Sequence, residues 1–461
     1  MCCARARTLR RRRGHESRAM TAIPTAFRPA PALDAAVLAR RSYAAGIFDE
    51  LRALTLDGPG VTRASYMEGE QIAHDLATRL ARELGLEVTV DAAGNLYARL
   101  AGRDPSRPAW FSGSHLDSVP RGGNFDGAAG FIAALTSVAA MIDAGLRSAC
   151  DVVVAGFRAE ESSSWFVGKH GGHLGSRAAL GLLWPGEMES AIHVATRLPL
   201  GEMMAQAGFD PARILAGPPV LSPATVAGFA ELHIEQGPIL HNRDVPVGIV
   251  GGIRGAYRVR NGRVRGEWSH SGAVPHEYRR DVVFALAELA MALDREWALR
   301  RERGEDLVVT IGKVSTDPEI HSITRVPGDV AFALDMRSRD KAVLDGMEAF
   351  LRAEADRIAG ARGVSFMLDP FDRQVPSPMD GRLVAALEAA ADGLAIPTLP
   401  MASGGGHDAQ DFAEAGIPAV MIFLRNDKGS HNPDEAMEID DFMQGTRLLA
   451  NLLASVSEAE A

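Results

Sequence analysis

The chain has 461 residues, of which 46% are hydrophobic and 23% are charged. This length predicts roughly two or three domains, and this balance is typical of a globular protein, which excludes disorder or a collagen-like repeat as a description of the whole chain. The formal net charge of −10 argues against a dedicated nucleic-acid-binding protein. The three cysteines, at positions 2, 3 and 150, form neither a disulfide framework nor a zinc-finger spacing, so we expect a reducing, cytoplasmic environment.

Residues 1–19 differ in composition from the rest of the chain. They contain seven arginines and one acidic residue, Glu16, and no apolar stretch that would indicate a secretory signal. Two interpretations are open: a basic arm that binds nucleic acid or a membrane, and an extension that precedes a functional start at Met20. We favour the second. The sequence also has no apolar run long enough for a transmembrane helix, so we expect neither a membrane nor a nucleic acid as partner.

From residue 70 onwards, helical and strand patterns alternate. Helices are predicted over residues 70–84, 128–144, 383–391 and 440–455. Strands are predicted over residues 88–90, 96–100, 109–112, 152–157 and 419–424. Residues 152–157 are almost entirely apolar, which is typical of a sheet buried on both faces. These patterns predict that residues 20–254 and 370–461 together form one catalytic α/β domain.

Residues 255–369 have a pattern of their own. They predict a strand, a helix, two strands, a helix and a strand, over residues 257–268, 281–300, 307–314, 330–336, 338–358 and 364–368. This βαββαβ order is that of a ferredoxin-like domain, inserted into the larger one. The pair Asn261-Gly262 is a strong hairpin signal, which would divide the first strand in two. The arginines of that strand form either a cationic strip or, as we favour, a solvated face; they are Arg258, Arg260, Arg263 and Arg265.

Polar residues of the types that bind metals follow the predicted strands of the larger domain. They form four groups: His115 with Asp117 and Asp126, the pair Glu160-Glu161, the stretch from Glu231 to Gly237, and the Gly-Ser-His-Asn-Pro stretch that contains His431. Ligands of α/β sheets bind beyond the carboxyl ends of the strands. Each group alone is explained as well by a structural histidine or a solvated turn. Their joint occurrence favours a metal site.

These groups resemble the motifs of a known family. His115-Leu116-Asp117, Asp126-Gly127, Glu160-Glu161, the stretch from His233 to Gly237, and His431 in its Ser-His-Asn context are similar to those of the amidases that include N-carbamoyl-L-amino-acid hydrolase, β-ureidopropionase and allantoate amidohydrolase. These amidases belong to the wider dinuclear-zinc aminoacylase and carboxypeptidase (M20) group. The resemblance extends from about residue 47 to residue 453.

The resemblance implies a two-domain, mixed-sheet α/β metallohydrolase with a site for two divalent metal ions. Zn²⁺ suits nitrogen and carboxylate ligands, with Mn²⁺, Co²⁺ or Ni²⁺ as alternatives. His115 and His233 would bind one ion, Glu161 and His431 the other, and Asp126 would bridge both. Two ions would lower the pKa of a water towards about 7, so that hydroxide is available at neutral pH.

The resemblance also assigns roles to other residues. Glu160 would act as base and then as acid, while Asp117 would orient His115. The inserted domain would be a lid and a homodimerisation domain, and its His270 would stabilise the carbonyl oxygen across the dimer interface. The alternative for His270 is a loop histidine that caps the following helix. The expected substrate is a small molecule with a carboxylate, contacted by Gln236 and by Arg337 just after strand 330–336, with His407 close to the site.

Three departures from the family pattern leave the substrate open. Thr324 replaces an asparagine, residues 162–165 read Ser-Ser-Ser-Trp in place of Gly, any residue, Arg and Phe, and His276 replaces a methionine; we expect all three changes to fall on the substrate pocket. The leading hypothesis is a metal-dependent amidohydrolase that cleaves a linear C–N bond of an N-carbamoyl amino acid. The alternatives are an N-acyl-amino-acid amidohydrolase or dipeptidase with the same machinery, and a catalytically silent metal-binding scaffold.

Overall fold

The computed structural model describes residues 30–168, 171–368 and 370–458, so the predicted basic extension, residues 1–19, lies outside the described part. The α-helices are Pro31–Ala39, Arg41–Thr55, Glu68–Glu83, Ala128–Asp143, Ser162–Trp165, Leu174–Leu180, Glu187–Ser190, Leu200–Gln206, Pro211–Ala216, Ile239–Arg243, Val282–Glu302, Lys341–Arg362, Gly381–Leu394, Asp408–Glu414 and Ile439–Glu458. Among the helices described, none is long and apolar enough to span a lipid bilayer.

The larger of the two main sheets has nine strands and is called the large sheet. In spatial order its strands are Ser377–Pro378, Val247–Ile253, Ala419–Leu424, Val226–Ile234, Ala109–His115, Val152–Phe157, Leu96–Leu100 and Glu87–Val90, with Thr398–Ser403 paired to Val247–Ile253. The four strands in the middle run parallel, whereas the strands that follow them on either side pair antiparallel. This mixed sheet confirms the predicted fold class.

Helices cover both faces of the large sheet, because its central strands are apolar on both sides. The strands Val152–Phe157 and Ala419–Leu424 are buried along their whole length. On one face, Ala128–Asp143 and Ile439–Glu458 pack in one hydrophobic cluster, and Asp408–Glu414 packs in a second cluster on the other face. Burial of each large apolar side chain contributes about 1.5–3 kcal/mol, so the two clusters hold the middle strands in a fixed position.

Five strands between Gly255 and Gln374 form a second sheet, called the small sheet. Its spatial order is Val308–Ser315, Asp329–Ser338, Gly255–Arg265 and Ser365–Met367, with Asp372–Gln374 also paired to Gly255–Arg265. Every pairing is antiparallel, and two long helices, Val282–Glu302 and Lys341–Arg362, pack on the sheet. The first four of these strands and the two helices occur in the predicted βαββαβ order, and the fifth strand, Asp372–Gln374, follows them. The sheet extends to Gln374, beyond the predicted boundary at residue 369.

The alternative of a hairpin at Asn261-Gly262 is not seen, and the predicted single strand is. The strand Gly255–Arg265 continues through this pair, with a register shift between Val259 and Gly262 against its partner strand. A Cβ at position 262 would lie 2.6 Å from the ring of Phe332. The glycine therefore allows close packing at a bulge rather than a turn.

The predicted end of the next long strand was also too early. The strand Asp329–Ser338 includes Arg337, whereas the predicted strand ends at residue 336. The helix predicted from residue 338 begins at Lys341, because the carboxylate of Asp340 accepts the hydrogen bond of the Ala342 amide and caps it.

The arginines of the first strand of the small sheet lie on its solvated face and face acidic side chains. The pairs are Arg258–Asp335, Arg260–Asp372, Arg263–Asp329 and Arg265–Asp329. Such exposed pairs contribute about 0–1 kcal/mol each. This arrangement agrees with the favoured interpretation of a solvated face rather than a free cationic strip.

Candidate metal centre and active site

The four parallel strands of the large sheet end at one edge, where the predicted ligands meet. In spatial order, the strands Ala419–Leu424, Val226–Ile234, Ala109–His115 and Val152–Phe157 lead to His431, His233, His115 and the pair Glu160-Glu161. Asp126 lies just before the helix Ala128–Asp143, which follows the third of these strands. The carboxyl edge of such a sheet is where ligands bind, so the fold brings together side chains that are far apart in the sequence.

A first group of ligand-type side chains consists of His115, His233 and Asp126. Oδ1 of Asp126 lies 3.1 Å from Nε2 of His233 and 3.5 Å from Nε2 of His115. Nδ1 of His233 lies 2.9 Å from the carbonyl oxygen of Ile234. This contact favours a ring hydrogen on Nδ1, so that Nε2, which also accepts the backbone N–H of Gly127 at 3.2 Å, is the nitrogen that faces Asp126.

A second group consists of Asp126, Glu161 and His431. Nε2 of His431 lies 2.8 Å from Oε1 of Glu161 and 3.5 Å from Oδ2 of Asp126. Asp126 therefore belongs to both groups, with one carboxylate oxygen directed towards each. This is the arrangement that a carboxylate bridging two cations requires.

The donor chemistry fits cations. Oδ1 of Asp126 is buried and has no hydrogen-bond partner among the described residues, which is costly for a carboxylate unless a cation faces it. The hydrogen bond with Glu161 raises the pKa of His431 to about 9. Burial opposes protonation of His233, but the charge of Asp126 outweighs it and raises the pKa of His233 to about 9. The cluster thus has a strong affinity for positive charge.

Asp117 lies beneath both groups and is fully buried. Its Oδ1 lies 3.3 Å from Nδ1 of His115 and accepts the backbone N–H of Glu160 at 3.1 Å. Its Oδ2 accepts the hydroxyl of Ser65 at 2.7 Å and the backbone N–H of Glu161 at 3.1 Å. One carboxylate therefore orients a histidine and fixes the backbone of both glutamates.

Glu160 lies beside the first group and is not a member of either. Its Oε2 is 3.8 Å from Nε2 of His115, and its Oε1 is 3.4 Å from Nε2 of His173. Burial raises the pKa of Glu160 to about 7, against the opposing effect of the imidazoles of His115 and His173. A carboxyl group with a pKa near neutrality can both take and give a proton, which is the property of a general base that later acts as an acid.

The turn before Glu160 has a strained backbone, which contacts with the buried Glu70 stabilise. Ala159 has a φ of 54°, in the left-handed region that favours glycine. The buried carboxylate of Glu70 accepts the N–H of Ala159 at 2.8 Å and forms an ion pair with Arg158 at 2.8 Å. This support was not predicted, because Glu70 lies on a distant helix whose periodicity gave no sign of a buried charge.

Gln236 and His407 lie at the predicted site. Nε2 of Gln236 donates to Oδ2 of Asp126 at 2.9 Å. The ring of His407 is fully buried, with its centroid 4.5 Å from that of His233, and its Nε2 lies 2.9 Å from Oγ of Ser403. Both residues therefore adjoin the metal-ligand groups.

Arg337 reaches the rim of the same edge from the small sheet. Its guanidinium donates to the carbonyl oxygen of Gly404 at 2.5 Å and pairs with Asp335 at 2.8 Å. Gly404 precedes Gly405, where a Cβ would lie 3.4 Å from Oε1 of Gln236. Arg337 is thus separated from Gln236 only by a glycine loop.

His270 and Thr324 are not brought to this cluster within the chain. They lie on neighbouring segments of a small ribbon, formed by Ser269–His270 and Arg325–Val326, and the amide of Ser271 donates to the carbonyl oxygen of Thr324. His270 is exposed, and its Nδ1 accepts the amides of Gly272 and Ala273. It caps its own turn, whereas Asp281 caps the following helix, so the alternative role was wrong.

One predicted consequence of the sequence departures needs correction. Trp165 does not fall on an open pocket: its side chain is buried, and its indole N–H donates to the carbonyl oxygen of Ser118 at 2.9 Å. It packs under the loop that carries Asp117. The large indole therefore supports the site from behind.

Two further site residues were missed in the sequence. Glu435 accepts the backbone amides of Phe125 and Asp126, at 2.9 and 3.2 Å, and so fixes the loop of the shared carboxylate. His173 faces Glu160, as described above. Their signals were a glutamate four residues after His431 and a histidine preceded by two glycines, and both were too weak to identify without the fold.

The comparisons with known proteins agree with this geometry. Residues 111–455 match the peptidase family M20/M25/M40. The N-carbamoyl-L-amino acid amidohydrolase of Geobacillus stearothermophilus is 34% identical over 402 residues, which cover 87% of this chain and 94% of that protein. The allantoate amidohydrolase of Escherichia coli K12 is 33% identical over 399 residues, covering 86% and 92%. A crystal structure of a hydantoinase/carbamoylase family amidase from Burkholderia ambifaria has a TM-score of 0.80 and 30% identity, covering 91% of this chain and 97% of that one.

The chain therefore belongs to the peptidase family M20/M25/M40. Within this family it is an amidohydrolase of the group that acts on carbon–nitrogen bonds other than peptide bonds, as the sequence motifs predicted.

Proposed function

We propose that the protein hydrolyses the linear C–N bond of an N-carbamoyl amino acid, with release of the amine, CO₂ and ammonia. The observation that carries this proposal is the shared Asp126, with one ligand group on each of its oxygens and Glu160 beside it. The activities named for the relatives from Geobacillus stearothermophilus and Escherichia coli support a ureido substrate.

Two divalent cations, most suitably Zn²⁺, would supply the acidity that makes a water nucleophilic at neutral pH. His115 and His233 would hold one cation, Glu161 and His431 the second, and Asp126 both. Asp117 fixes the orientation of His115 and the backbone of both glutamates. The chain thus contributes a rigid set of ligands, and binding costs little reorganisation.

Glu160 performs the proton transfers in this proposal. Burial raises the pKa of Glu160 above that of an ordinary glutamate, which makes its carboxylate a better base for the proton of the attacking water. Glu160 then delivers this proton to the departing nitrogen when the C–N bond breaks. Because Glu160 is buried and contacts His115, it acts in a site of low solvent access, where each charge interaction is stronger than in water.

The substrate carboxylate is assigned to Arg337, with Gln236 and His407 nearer to the ligands. Arg337 is part-exposed, and its guanidinium reaches the glycine loop beside Gln236. A planar guanidinium binds a carboxylate with two parallel hydrogen bonds. Thr324 offers a single hydroxyl in place of the usual amide and does not reach this cluster within its own chain, so we assign its hydroxyl to the substrate carboxylate only in the dimer proposed below.

We further propose a cytoplasmic homodimer that assembles through the small sheet. The strand Val308–Ser315 lies at the edge of this sheet, and such an edge can pair with a second copy. His270 is exposed and contacts its own turn rather than the ligands of its own chain, so in this proposal a partner subunit brings a histidine of this kind to the reacting carbonyl. The one cysteine among the described residues, Cys150, is buried and free, which suits a reducing compartment.

Glu160→Gln tests the proton-transfer role. We expect this substitution to lower kcat at least about 100-fold, because the amide neither takes nor gives the proton. Metal content, measured by mass spectrometry, is expected to stay within twofold of the wild type. Glu161→Gln is the matched control, since it alters the adjacent carboxylate and is expected to lower metal content as well. Substantial activity of Glu160→Gln on a substrate that the wild type turns over would contradict the proton-transfer role of Glu160.

A substrate panel separates the ureido reaction from its alternative. Purified, metal-reconstituted protein is assayed with N-carbamoyl amino acids for ammonia and with N-acyl amino acids and dipeptides for free amine. We expect turnover of N-carbamoyl substrates to exceed the others by at least tenfold. A preference for N-acyl substrates or dipeptides would contradict the proposal in favour of the N-acyl alternative. Metal binding without turnover of any substrate would favour the catalytically silent scaffold.

A further inference from the structure

A histidine outside both ligand groups lies against the proposed base. Nε2 of His173 is 3.4 Å from Oε1 of Glu160, while Oε2 of the same carboxylate points to Nε2 of His115 at 3.8 Å. The two oxygens of Glu160 are therefore divided: one faces the metal-ligand group, and the other faces His173. A carboxylate divided in this way cannot rotate without losing one of its contacts.

The ring of His173 is itself anchored on its far side. Its Nδ1 lies 3.1 Å from Oδ2 of Asp411, and this oxygen also accepts the hydroxyl of Ser176 at 2.9 Å. Asp411 is 3% exposed, so this anchor is inside the protein. On the other side, a Cβ at position 406 would come within 2.7 Å of the ring, so only a glycine leaves room for it.

The backbone of His173 is tied to the loop of the base as well. Its N–H donates to the carbonyl oxygen of Glu160 at 3.1 Å, and the N–H of Leu174 donates to that of Ala159 at 3.0 Å. His173 also has a φ of 43°, which a residue other than glycine adopts only at a cost. Strain of this kind persists where surrounding contacts fix it.

We infer that His173 is a positioning residue, which with its anchor Asp411 holds one oxygen of Glu160 so that the other faces the ligand groups. Asp411 orients the ring, Nε2 of the ring pairs with Oε1 of Glu160, and Oε2 stays on the side of the ligand groups, where it can accept the proton of the attacking water. The inference rests on the proposed role of Glu160 as the base.

The charges around the ring agree with this arrangement. Burial opposes protonation of His173, but Asp411 and Glu160 outweigh it and raise the pKa of His173 to about 10. Both ring nitrogens then carry hydrogens. The imidazolium forms a charge-assisted hydrogen bond with Asp411, which is stronger than a neutral one, and an ion pair with Glu160 on its other side.

A pair of substitutions at position 173 separates positioning from a general structural role. The amide nitrogen of His173→Gln can occupy the place of Nε2 and still donate to Glu160. That of His173→Asn occupies the place of Nδ1, so it retains the bond with Asp411 and loses the one with Glu160. The preferred substrate of the panel is used, with kcat, KM and metal content measured for wild type, both variants and Asp411→Asn.

We expect His173→Asn to lower kcat at least tenfold, with KM and metal content within twofold of the wild type. His173→Gln is expected to be at least fivefold more active than His173→Asn, and Asp411→Asn to lower kcat in the same selective way. His241→Asn changes a half-exposed histidine outside both ligand groups, whose Nδ1 lies 3.8 Å from Oδ1 of Asp427, and is expected to leave kcat unchanged.

Several results would overturn the inference. These are a kcat of His173→Asn within threefold of the wild type, equal losses in the Asn and Gln variants, or a loss confined to KM or metal content. If His173→Asn is not recovered folded, Asp411→Asn is judged by the same limits. A crystal structure of either variant with the Glu160 carboxylate unmoved would also overturn it, whatever the substrate. If the wild type turns over no substrate, this result contradicts the proposed function, whereas the position of the Glu160 carboxylate in the crystal structures still tests the inference about His173.

Discussion

At the scale of single residues, Asp117 connects the two chemical functions of the site. The same carboxylate faces the ring of His115 and accepts the amides of Glu160 and Glu161. In the proposed function, Asp117 would therefore link ligand orientation to base position, although it belongs to neither ligand group. A displacement of this side chain would be transmitted to both, which explains why it is fully buried and also held by Ser65.

A residue behind the site predicts how stability depends on pH. Burial, reinforced by Arg158, lowers the pKa of His74 well below 6.5, against a hydrogen bond with the Phe157 backbone. Below about pH 6.5 the unfolded chain binds a proton that the folded protein does not, so stability falls as the pH falls. We expect His74→Gln to lack this contribution. As the pH falls from 7.5 to 5, the free energy of unfolding of His74→Gln relative to that of the wild type should therefore rise by about 2 kcal/mol.

The measurement is urea unfolding of both proteins at several pH values, in the presence of a chelator. The chelator removes the pH dependence of metal binding, which would otherwise add to the effect. Parallel pH profiles for wild type and His74→Gln would show that His74 is not held neutral.

Site residues in short motifs could be predicted from the sequence, whereas residues whose contacts are far apart in the sequence could not. Asp117 and Glu160 belong to short motifs, so their neighbours identified them. The contact between His173 and Asp411 joins residues 238 positions apart, and no local pattern reports such a pairing. Arg337 was identified by its resemblance to the family, but its place inside a strand depended on pairing with neighbouring strands.

At the scale of elements, the helix Ala128–Asp143 shows how a backbone position controls the site. Gly127 precedes the helix with a φ of 65°, and Gly145 follows it with a φ of 66°. A Cβ at position 127 would lie 2.3 Å from the His115 ring, whereas one at position 145 meets nothing within 4 Å. The two glycines share a positive φ and differ in their surroundings, and Gly127 also has a ψ of −52°, outside the left-handed helical region.

This difference predicts opposite outcomes for two alanine substitutions. Gly145→Ala introduces only the left-handed strain of about 1–2 kcal/mol. Gly127→Ala adds a collision with His115 and is expected to reduce metal content below half of that of Gly145→Ala. Mass spectrometry of the metal-reconstituted proteins and urea unfolding measure both effects. Equal metal content in the two variants would show that the His115 ring moves aside freely.

The periodicity of elements was predicted better than their pairing. The strand bounds of residues 152–157 and 419–424 matched, because buried runs of apolar residues have sharp ends. The pair Asn261-Gly262 left a hairpin open as an alternative, because a hairpin signal and a glycine that admits the ring of Phe332 look alike in sequence. Only the packing of the partner strand separates them.

At the scale of the whole molecule, two arginines connect the large and small sheets. Arg254 lies between the strands Val247–Ile253 and Gly255–Arg265, and it pairs with Asp306 at 2.6 Å. Its amide donates to the carbonyl oxygen of Ser403. Arg337 donates to Gly404 next to it. Both arginines contact the glycine loop, so a movement of the small sheet would displace this loop at the rim of the site.

The proposed dimer leads to a test by complementation. A Glu160→Gln subunit retains His270, and a His270→Ala subunit retains Glu160, so a mixed dimer contains one complete site if His270 acts on its partner. After mixing by reversible dissociation, we expect the two weakly active proteins to recover about a quarter of wild-type activity, because half of the dimers are mixed and each has one complete site.

The control is the same pair of proteins mixed without dissociation, which should stay at the sum of their separate activities. Sedimentation analysis establishes the oligomeric state beforehand. A monomeric protein, or a mixed dimer without recovered activity, would contradict a histidine supplied by the partner subunit.

The position of Asp126 between two ligand groups has a consequence for how the protein matures. His115 and Asp126 come from the first part of the large sheet, whereas His431 follows one of its last strands, Ala419–Leu424. A chain still emerging from the ribosome can assemble the first ligand group once Val226–Ile234 has paired with Ala109–His115, but the second group only when the C-terminal strand is in place. The second ligand group is therefore complete only when the last part of the large sheet has formed.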